Sequence, residues 1–410
     1  MQRDLDQLMA DRDLDAIVVS GKTAGNPPLI YLLNGAHLTQ ALVVKKRGAT
    51  PHLIASPIER EVAAATGYPV ILNTRYGYRD LLGKHGGDVL AASVAYQRAI
   101  FDDLGVTGRV GFYGYRDQGS AYAFLTALNA ALPAIDVVGE SDANLIEAAR
   151  ATKDAAEVAR IRDVGRRTAE VVRQTVSFLQ AHTVDADETL RHATENRALT
   201  IGDVHAHIHR LITLQGLEDA EGFIFAAGRD AGVPHNQGTL DMPLRLGETI
   251  IFDIYPRESG GGYFFDMTRT FCLGYAPEAV MDLYQDVMGC VAHLKAALQA
   301  GVETRTYQQM TCAFFEERGH PTIGSDPATL EGYIHSLGHG VGLDIHEAPS
   351  FFDHVGNTAR LTPGHVFTLE PGLYYPNRGM GCRIEDTLWL DEDGNVSNLT
   401  GYPYDLVVPM

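Results

Sequence analysis

Short apolar runs rich in β-branched residues alternate with helical patterns over the first third of the chain. The runs stand at 16–20, 41–46, 52–56, 70–73, 110–114 and 135–140. The Gly-containing segment between the second and third runs has the length of a hairpin. Strands that alternate with helices favour a doubly wound sheet. We therefore predict an α/β domain over residues 1–148.

A longer helical pattern begins at residue 154. Asp154 and Glu157 have the spacing of a capping box, and apolar positions then recur every three to four residues. These positions are Val158, Ile161, Val164, Thr168, Val172, Val176 and Leu179. The pattern predicts a helix that opens a second domain, residues 149–410, in which helices and short strands mix as in an α+β fold.

Two segments of the second domain repeat one arrangement of glycine, apolar strand and carboxylate. Gly247 precedes Asp253 by six positions, and Gly364 precedes Glu370 by the same six. Both carboxylates are expected at the end of an apolar strand. The equal offsets indicate that the two segments build equivalent parts of one site.

Each repeat continues into a second apolar segment with a carboxylate in the middle of the expected strand. These carboxylates are Asp266 and Glu385, and Thr268 and Thr387 follow them by two positions. One such acid would face solvent on an edge strand, because an isolated charge is costly in an apolar strand. Four acids in duplicated register instead favour a shared compensation, and a bound divalent metal is the simplest one.

A Gly-rich segment at 335–347 supplies histidines for such a site. Its histidines are His335, His339 and His346, and its glycines are Gly338, Gly340 and Gly342. The glycines disfavour a zincin-type helix, and Ser336 stands where that helix would carry its general base. They favour a strand or tight loop whose backbone comes close to a site. His235 is a further candidate because it lies just before the first repeat.

Four carboxylates and one imidazole suit two divalent ions about 3.5–4 Å apart. A water held between two ions loses a proton near neutral pH, and a nearby Glu can accept that proton. Mixed oxygen and nitrogen ligands suit Mn, Co, Zn or Fe. The pattern therefore predicts metal-assisted hydrolysis of an amide-like bond.

As a set, these segments resemble the pita-bread metallopeptidases, above all Xaa-Pro dipeptidase (prolidase) and Xaa-Pro aminopeptidase (aminopeptidase P). The matching strings are IIFD, GYFFDMTRTF, HSLGHGVGLDIHE, FTLEPGLYYP and RIEDT. The resemblance implies a C-terminal pita-bread (creatinase/aminopeptidase) catalytic domain after a smaller creatinase-like N-terminal domain. It also implies cleavage of the bond before proline, in Xaa-Pro dipeptides or at the N-terminus of short peptides.

The resemblance further implies a dinuclear centre that uses Mn, with Co or Zn as alternatives. Asp253 would ligate one ion, and Asp266 and Glu385 would bridge both. His339 and Glu370 would complete the second ion, and Glu370 would also serve as general base.

Four other residues match substrate or support positions of these enzymes. His235, His335 and His346 match positions that contact substrate or stabilise the tetrahedral intermediate. Arg383 matches an arginine that orders the hydrogen bonds of the metal site. One departure is the loop between Asp253 and Asp266, which is two residues longer than is usual in the family and leaves the shape of the substrate pocket open.

Several functions remain open from the sequence. The dipeptidase and the aminopeptidase differ in how the far end of the substrate is blocked, which the sequence does not reveal. A pita-bread hydrolase of another small amide, ectoine- or creatine-like, is an alternative, and so is a non-catalytic peptide-binding module on the same fold. A methionine aminopeptidase usually lacks so large an N-terminal domain.

Charge and composition restrict the classes of partner that the protein can bind and the compartment in which it is expected. With 33 Lys and Arg against 52 Asp and Glu, the formal charge is −19, which is opposite to that of a nucleic-acid or anionic-membrane binder. Four cysteines without C-x-x-C spacing, no apolar run of membrane length and no signal-peptide pattern predict a cytoplasmic protein. We expect short proline-containing peptides as partners, and the resemblance implies a homodimer.

Two further motifs give only weak evidence of a functional site. The segment GKTAGN at 21–26 lacks the second half of a phosphate loop. His205 and His207 have the spacing of an amidohydrolase pair, but the apolar residues that follow predict a helix there.

Overall fold

The computed structural model describes residues 4–114, 117–141 and 143–410. The described chain forms two compact units. The first runs up to Arg150 and includes Gly260–Gly262, and the second comprises Ala151–Ser259 and Tyr263–Met410. The domain predicted over 1–148 includes residues 1–3, 115, 116 and 142, which lie outside the described residues. Its assignment as a creatinase-like domain stays a prediction.

The first unit is built from short helices and strands in alternation. Its helices are α1 (Leu5–Asp11), α2 (Pro27–Leu32), α3 (Arg60–Ala65), α4 (Tyr78–Lys84), α5 (Val89–Leu104), α6 (Gln118–Ala131) and α7 (Leu145–Ala151). Its strands are β1 (Ala16–Gly21), β2 (Ala41–Lys46), β3 (His52–Ala55), β4 (Val70–Leu72), β5 (Gly108–Tyr113) and β6 (Ile135–Val138). All six predicted strands are therefore confirmed.

The six strands form one mixed sheet in the order β4-β3-β2-β1-β5-β6. Strand β2 is antiparallel to both β1 and β3, whereas β1-β5, β5-β6 and β3-β4 are parallel pairs. The predicted hairpin between β2 and β3 is confirmed, and it is the reason why the sheet is not doubly wound throughout. One face of the sheet packs against α5 and α6 through Val18, Val44 and Ile54.

The second unit opens with the predicted long helix. Its helices are α8 (Ala155–Gln180), α9 (Ile201–Leu214), α10 (Glu278–Ala297) and α11 (Thr304–Glu316). The capping box of Asp154 and Glu157 is present at the start of α8. Among the recurring positions of this helix, Val176 is only half-buried. Thr175 is buried instead, because its hydroxyl donates to the carbonyl of Val171 at 2.8 Å and so needs no water.

Short strands make up the rest of the second unit. They are β7 (Thr183–Val184), β8 (Leu190–Arg191), β9 (Leu217–Glu218), β10 (Phe223–Ala227), β11 (Thr249–Ile254), β12 (Arg257–Glu258), β13 (Met267–Leu273), β14 (His339–Gly340), β15 (Glu347–Ser350), β16 (Val366–Leu369), β17 (Gly372–Tyr375), β18 (Met380–Arg383), β19 (Asp386–Leu390), β20 (Val396–Asn398) and β21 (Val407–Val408). The larger sheets have the orders β10-β11-β13-β21 and β15-β14-β16-β19-β20.

The two sequence repeats lie in these two different sheets. The antiparallel pair β11-β13 carries the first repeat, and the antiparallel pair β16-β19 carries the second. Asp266 and Glu385 precede β13 and β19 by one residue, so the prediction that they lie in mid-strand is wrong. Their main chains bond to the other repeat instead of to a neighbour in their own sheet. The Thr387 hydroxyl donates to the Asp266 carbonyl at 2.7 Å, and the Glu385 amide donates to the Thr268 carbonyl at 3.1 Å.

A large apolar cluster packs α10 and α11 against the strands of the second repeat. Val287, Leu294, Phe315, Phe367 and Leu388 are among its fully buried members. Burial on this scale fixes the positions at which the strands end, and the strand ends carry the candidate site residues. Within the described ranges, the helices are all too short or too polar to cross a lipid bilayer.

Candidate metal centre

The five residues predicted to hold metal come from five different strand ends. They are Asp253 in β11, Asp266 before β13, His339 at the start of β14, Glu370 after β16 and Glu385 before β19. All five line one cavity of about 810 Å³ in the second unit. The fold thus brings residues as far apart in the sequence as Asp253 and Glu385 to the wall of one cavity.

Three of these carboxylates leave an oxygen atom without a partner inside the protein. The atoms are Asp253 Oδ1, Asp266 Oδ1 and Glu385 Oε1, which are buried and accept no hydrogen bond from any described residue. Their residues are at most 9% exposed. Buried polar atoms are rarely left unpaired, because their desolvation is then uncompensated. Three such oxygens in one cavity fit a site that is made for a cation.

His339 turns one ring nitrogen to these carboxylates. Its Nδ1 lies 3.1 Å from the carbonyl oxygen of Gly340, which fixes the proton on that nitrogen. Nε2 is then free as an electron-pair donor and lies 3.6 Å from Asp266 Oδ2 and 3.4 Å from Glu370 Oε1. The ligand atoms of Asp266, His339 and Glu385 all lie within 4.8 Å of one another. The donor set of imidazole nitrogen and carboxylate oxygen suits a divalent transition metal.

The glycines on either side of His339 let the backbone come close to the neighbouring strands. A Cβ atom on Gly338 would lie 2.3 Å from the carbonyl oxygen of Thr368, and one on Gly340 would lie 2.0 Å from that of Ala348. No side chain fits at either distance. The prediction of a strand or tight loop with close backbone approach, and not a helix, is confirmed, with Gly340 in β14 and Gly338 just before it.

Gly340→Ala is therefore expected to push β15 away from β14 and to lower the free energy of unfolding by about 1–3 kcal/mol. Thermal unfolding of the metal-free protein measures this effect without any contribution from ligand binding. Gly401→Ala is the matched control, because its Cβ would meet nothing within 4 Å. Equal stability of the two variants would contradict the close approach of β14 and β15.

Charge within the cavity is strongly unbalanced. The four carboxylates proposed as ligands face one guanidinium, that of Arg383. Two further acidic residues, Glu221 and Glu347, line the cavity, and Glu347 pairs with Lys153. Burial, followed by repulsion from neighbouring carboxylates, raises the pKa of Asp266 and Glu385 well above their ordinary values. Burial also raises the pKa of Glu370 to about 8, against the opposing charge of Arg383. Bound divalent cations would lower these pKa values again, since they favour the ionised form of the carboxylates.

Arg383 is buried beneath the carboxylates and joins them to a tyrosine. Its guanidinium donates to Asp253 Oδ2 at 2.5 Å, to the hydroxyl of Tyr374 at 2.7 Å and to that of Thr268 at 3.2 Å. The Tyr374 hydroxyl in turn lies 2.9 Å from Nε2 of His335. One continuous chain of hydrogen bonds therefore runs from Asp253 to His335.

The three remaining predicted histidines line the same cavity but lie outside the carboxylate cluster. His335 Nδ1 lies 2.7 Å from the carbonyl oxygen of Ser336, and burial lowers the pKa of His335 to about 3. The ring of His346 lies 4.3 Å from that of His339, centre to centre, and burial lowers its pKa too. His235 lines the cavity with them. The structure thus brings together every site residue selected from the sequence.

Two residues of the centre were missed in the sequence. Tyr374 has no signal of its own, although strand alternation separates it from Leu373 and Tyr375, which pack in the large apolar cluster. Thr268 was noted as part of the repeat, but its role was not. Its hydroxyl donates to Glu385 Oε2 at 2.7 Å, so it aims a carboxylate of the other repeat.

The long loop between Asp253 and Asp266 folds into a hairpin. Strand β12 pairs with β9, and Arg257 also bridges to Phe264 across the hairpin. The Glu258 carboxylate accepts two hydrogen bonds from Arg160 of α8, at 3.0 and 2.5 Å. Tyr255, at the start of the loop, lines the cavity. The two extra residues therefore extend a hairpin that begins at the cavity wall.

Comparison with known proteins places this centre in a family. The sequence model of metallopeptidase family M24 matches residues 137–392, which is more than half of the chain. The chain belongs to metallopeptidase family M24. The match includes all five predicted metal ligands and also His235, His335, His346 and Arg383.

Individual M24 relatives match over a shorter stretch. A probable dipeptidase PepE of Mycobacterium bovis is 33% identical over 209 residues, covering 51% of this chain and 52% of that protein. An Xaa-Pro dipeptidase of Pyrococcus furiosus is 31% identical over 193 residues, covering 47% and 51%. The matching stretch spans about half the length of these curated relatives.

The fold extends over the whole chain. The solved prolidase of Pyrococcus horikoshii superposes with a TM-score of 0.70 at 20% identity, covering 98% of this chain and 99% of that one. At this identity the likeness concerns the fold alone. It confirms the predicted α+β fold, with a pita-bread domain in the C-terminal part of the chain.

Proposed function

We propose that this M24 protein is a metal-dependent peptidase that hydrolyses the bond before proline in short peptides. The observation that carries the proposal is the convergence of three unpartnered carboxylate oxygens and the free Nε2 of His339 in one cavity. Relatives named as a probable dipeptidase and an Xaa-Pro dipeptidase support the substrate class.

We assign the metal ligands as the resemblance implies. Asp253 would hold one ion, Asp266 and Glu385 would bridge two, and His339 and Glu370 would complete the second. When bound, the two divalent ions would acidify a water and polarise the carbonyl of the scissile bond. Manganese is the first choice, with cobalt and zinc as alternatives, because the ligands combine oxygen with a single nitrogen.

Glu370 is the proposed general base. Its carboxylate lies at the cavity wall, and its Oε1 accepts a hydrogen bond from the Thr368 hydroxyl at 3.3 Å, which orients it. From there it can take the proton of the attacking water and return it to the leaving proline nitrogen. Its partial burial suits this role, since burial brings the proton affinities of a carboxylate and of the reacting groups closer together.

The cavity wall also suits proline. Apolar side chains of Ile224, Tyr255, Ile345 and Phe352 line it beside the polar groups. An Xaa-Pro bond has no N–H, so its nitrogen needs no acceptor from the protein. His235, His335 and His346 line the same cavity and are candidates for contact with the substrate carbonyl and carboxylate.

His346→Ala is expected to retain both metals and to lower kcat/KM by about 10²–10³-fold, because a donor aimed at developing charge is removed. Metal content after dialysis and steady-state kinetics measure the two effects separately. His293→Ala is the control, since His293 is exposed on α10. Loss of metal from His346→Ala would instead identify His346 as a ligand.

The decisive assay compares an Xaa-Pro dipeptide, an Xaa-Pro-Yaa tripeptide and an Xaa-Ala dipeptide after reconstitution with Mn, Co or Zn. Cleavage of the Xaa-Pro dipeptide alone would identify a prolidase. Cleavage of the tripeptide as well would identify an aminopeptidase P. Metal uptake without cleavage of either proline peptide would overturn the proposal in favour of another small amide substrate.

We also propose that the protein is a cytoplasmic homodimer. All four cysteines are free and buried, which suits a reducing compartment. The dimer rests on the family resemblance, and light scattering of the purified protein would test it. A monomeric mass at micromolar concentration would contradict it.

A further inference from the structure

The first unit contains a cavity of about 540 Å³ that the proposed peptidase activity does not use. It lies at one end of the strands of the six-stranded sheet, where β1, β3 and β5 finish and β2 begins. Ser20, Leu42 and Ile54 are direct cross-strand neighbours at this end. Helix α5 covers the cavity with Ser93, Tyr96 and Gln97. Its volume is that of a small-molecule site, and such sites favour this end of the strands in an α/β sheet.

One buried side chain that lines this cavity has a nitrogen without a hydrogen-bond partner among the described residues. Gln97 is 4% exposed, and its Nε2 donates to no other described residue. A buried amide that makes no hydrogen bond destabilises the folded state, so such groups usually have a ligand or water to meet. The cavity lining therefore includes an unused donor, and an occupant that pairs with it must supply an acceptor.

The other lining groups restrict the occupant further. Lys22 is the one charged side chain among the described residues that line the cavity, and it is exposed at the mouth. The described lining includes no acidic residue. Tyr96, Phe112 and Phe124 supply aromatic walls. A donor, a cation and an aromatic wall together select a carboxylate with an apolar body, whereas a free ammonium would find no counter-charge.

A phosphate fits this cavity less well, although GKTAGN forms part of its rim. Two amides of this segment are already used, since Thr23 N donates to Leu38 O at 3.3 Å and Asn26 N donates to Thr23 O at 3.0 Å. Helix α2 behind the segment has only six residues. The loop therefore lacks the row of free amides that holds a phosphate.

We propose that this cavity binds a small monocarboxylate with an apolar body and no free ammonium group, at a site separate from the metal centre.

The probe for this site is phenylacetate, added to the metal-free full-length chain so that the metal centre does not bind it through a cation. Titration calorimetry measures affinity, and hydrogen exchange locates the site. We expect protection of peptides from α5 and from the β1–α2 segment. L-Phenylalanine, which adds an ammonium group to a similar body, is expected to bind about tenfold more weakly.

Gln97→Met keeps the side-chain length but removes the donor. We expect it to weaken phenylacetate binding about tenfold and to leave the melting temperature equal or higher, because an unpaired amide is removed. Gln7→Met, on the exposed face of α1, is the matched control. Unchanged affinity in Gln97→Met, protection confined to the second unit, or equal binding of L-phenylalanine would each overturn the proposal.

Discussion

Asp266→Asn is expected to abolish metal binding and to lower kcat/KM by more than about 10³-fold. The substitution keeps the shape of the side chain but replaces one carboxylate oxygen by an amide that donates. A carboxylate oxygen of Asp266 lies within 4.8 Å of ligand atoms of both His339 and Glu385. The substitution therefore removes an oxygen that two proposed metal positions would share. Metal content after dialysis and the hydrolysis of an Xaa-Pro dipeptide measure the two effects. A rate near that of the wild type would rule out the bridging role.

The stability of the metal-free protein separates this effect from misfolding. Without cations, Asp266 is buried beside Asp253 and Glu370, and the negative charges of these two residues repel its own. Metal-free Asp266→Asn is therefore expected to melt at the same temperature as the metal-free wild type, or above it. The rise in melting temperature that metal gives the wild type should be absent in the variant. Asp241→Asn, at an exposed position, should retain both the rise and the activity.

Arg269→Met is expected to cause the largest loss of stability, about 3–5 kcal/mol. Arg269 is 1% exposed and donates to the carboxylate of Asp386 at 2.9 Å. It also donates at 2.7–2.9 Å to four main-chain carbonyls, those of Thr268, Glu385, Tyr402 and Pro403. Methionine would fill much of the space but would remove the donor from Asp386 Oδ1 and from the carbonyls of Glu385, Tyr402 and Pro403. The Thr268 carbonyl would keep its bond from the Glu385 amide.

Thermal unfolding of the metal-free variant measures this loss, and we expect the melting temperature to fall by roughly 10 °C. Arg166→Met is the control, because Arg166 pairs with Asp163 at 2.9 Å on the exposed face of α8. That pair should contribute less than about 1 kcal/mol. Similar melting temperatures for the two variants would show that other groups satisfy the carbonyls that Arg269 now serves.

The candidate metal centre was predictable because the spacing of its carboxylates is repeated in the sequence. Asp253 and Glu370 follow their glycines at one spacing, and Asp266 and Glu385 follow theirs at another. Carboxylates in apolar strands conflict with local burial, and a conflict that recurs in register indicates a function. The strand ends were less predictable, since Asp266 and Glu385 bond through the main chain to a repeat more than a hundred residues away.

Support groups such as Tyr374 and Arg269 could not be found in this way. A tyrosine in an apolar strand and an arginine next to a threonine are compatible with many structures. Their roles depend on which distant carbonyls and carboxylates they meet, and those partners follow from the packing of two sheets. The mixed sheet of the first unit was likewise only partly predictable. The alternation of strands with helices predicts where the strands lie, but it does not predict that β2 runs antiparallel to its neighbours.

The interlocking of the two repeats also has a consequence for the order of events during synthesis. Thr268 and its partner Glu385 are 117 residues apart, so translation at about 5–20 residues per second separates them by roughly 6–23 s. His339, Glu370 and Glu385 are added one after another during that interval, so the proposed ligand set is complete only at its end. On the proposed ligand assignment, a metal ion can meet all five ligands only after the second repeat has left the ribosome, which would make ion capture a late step in maturation.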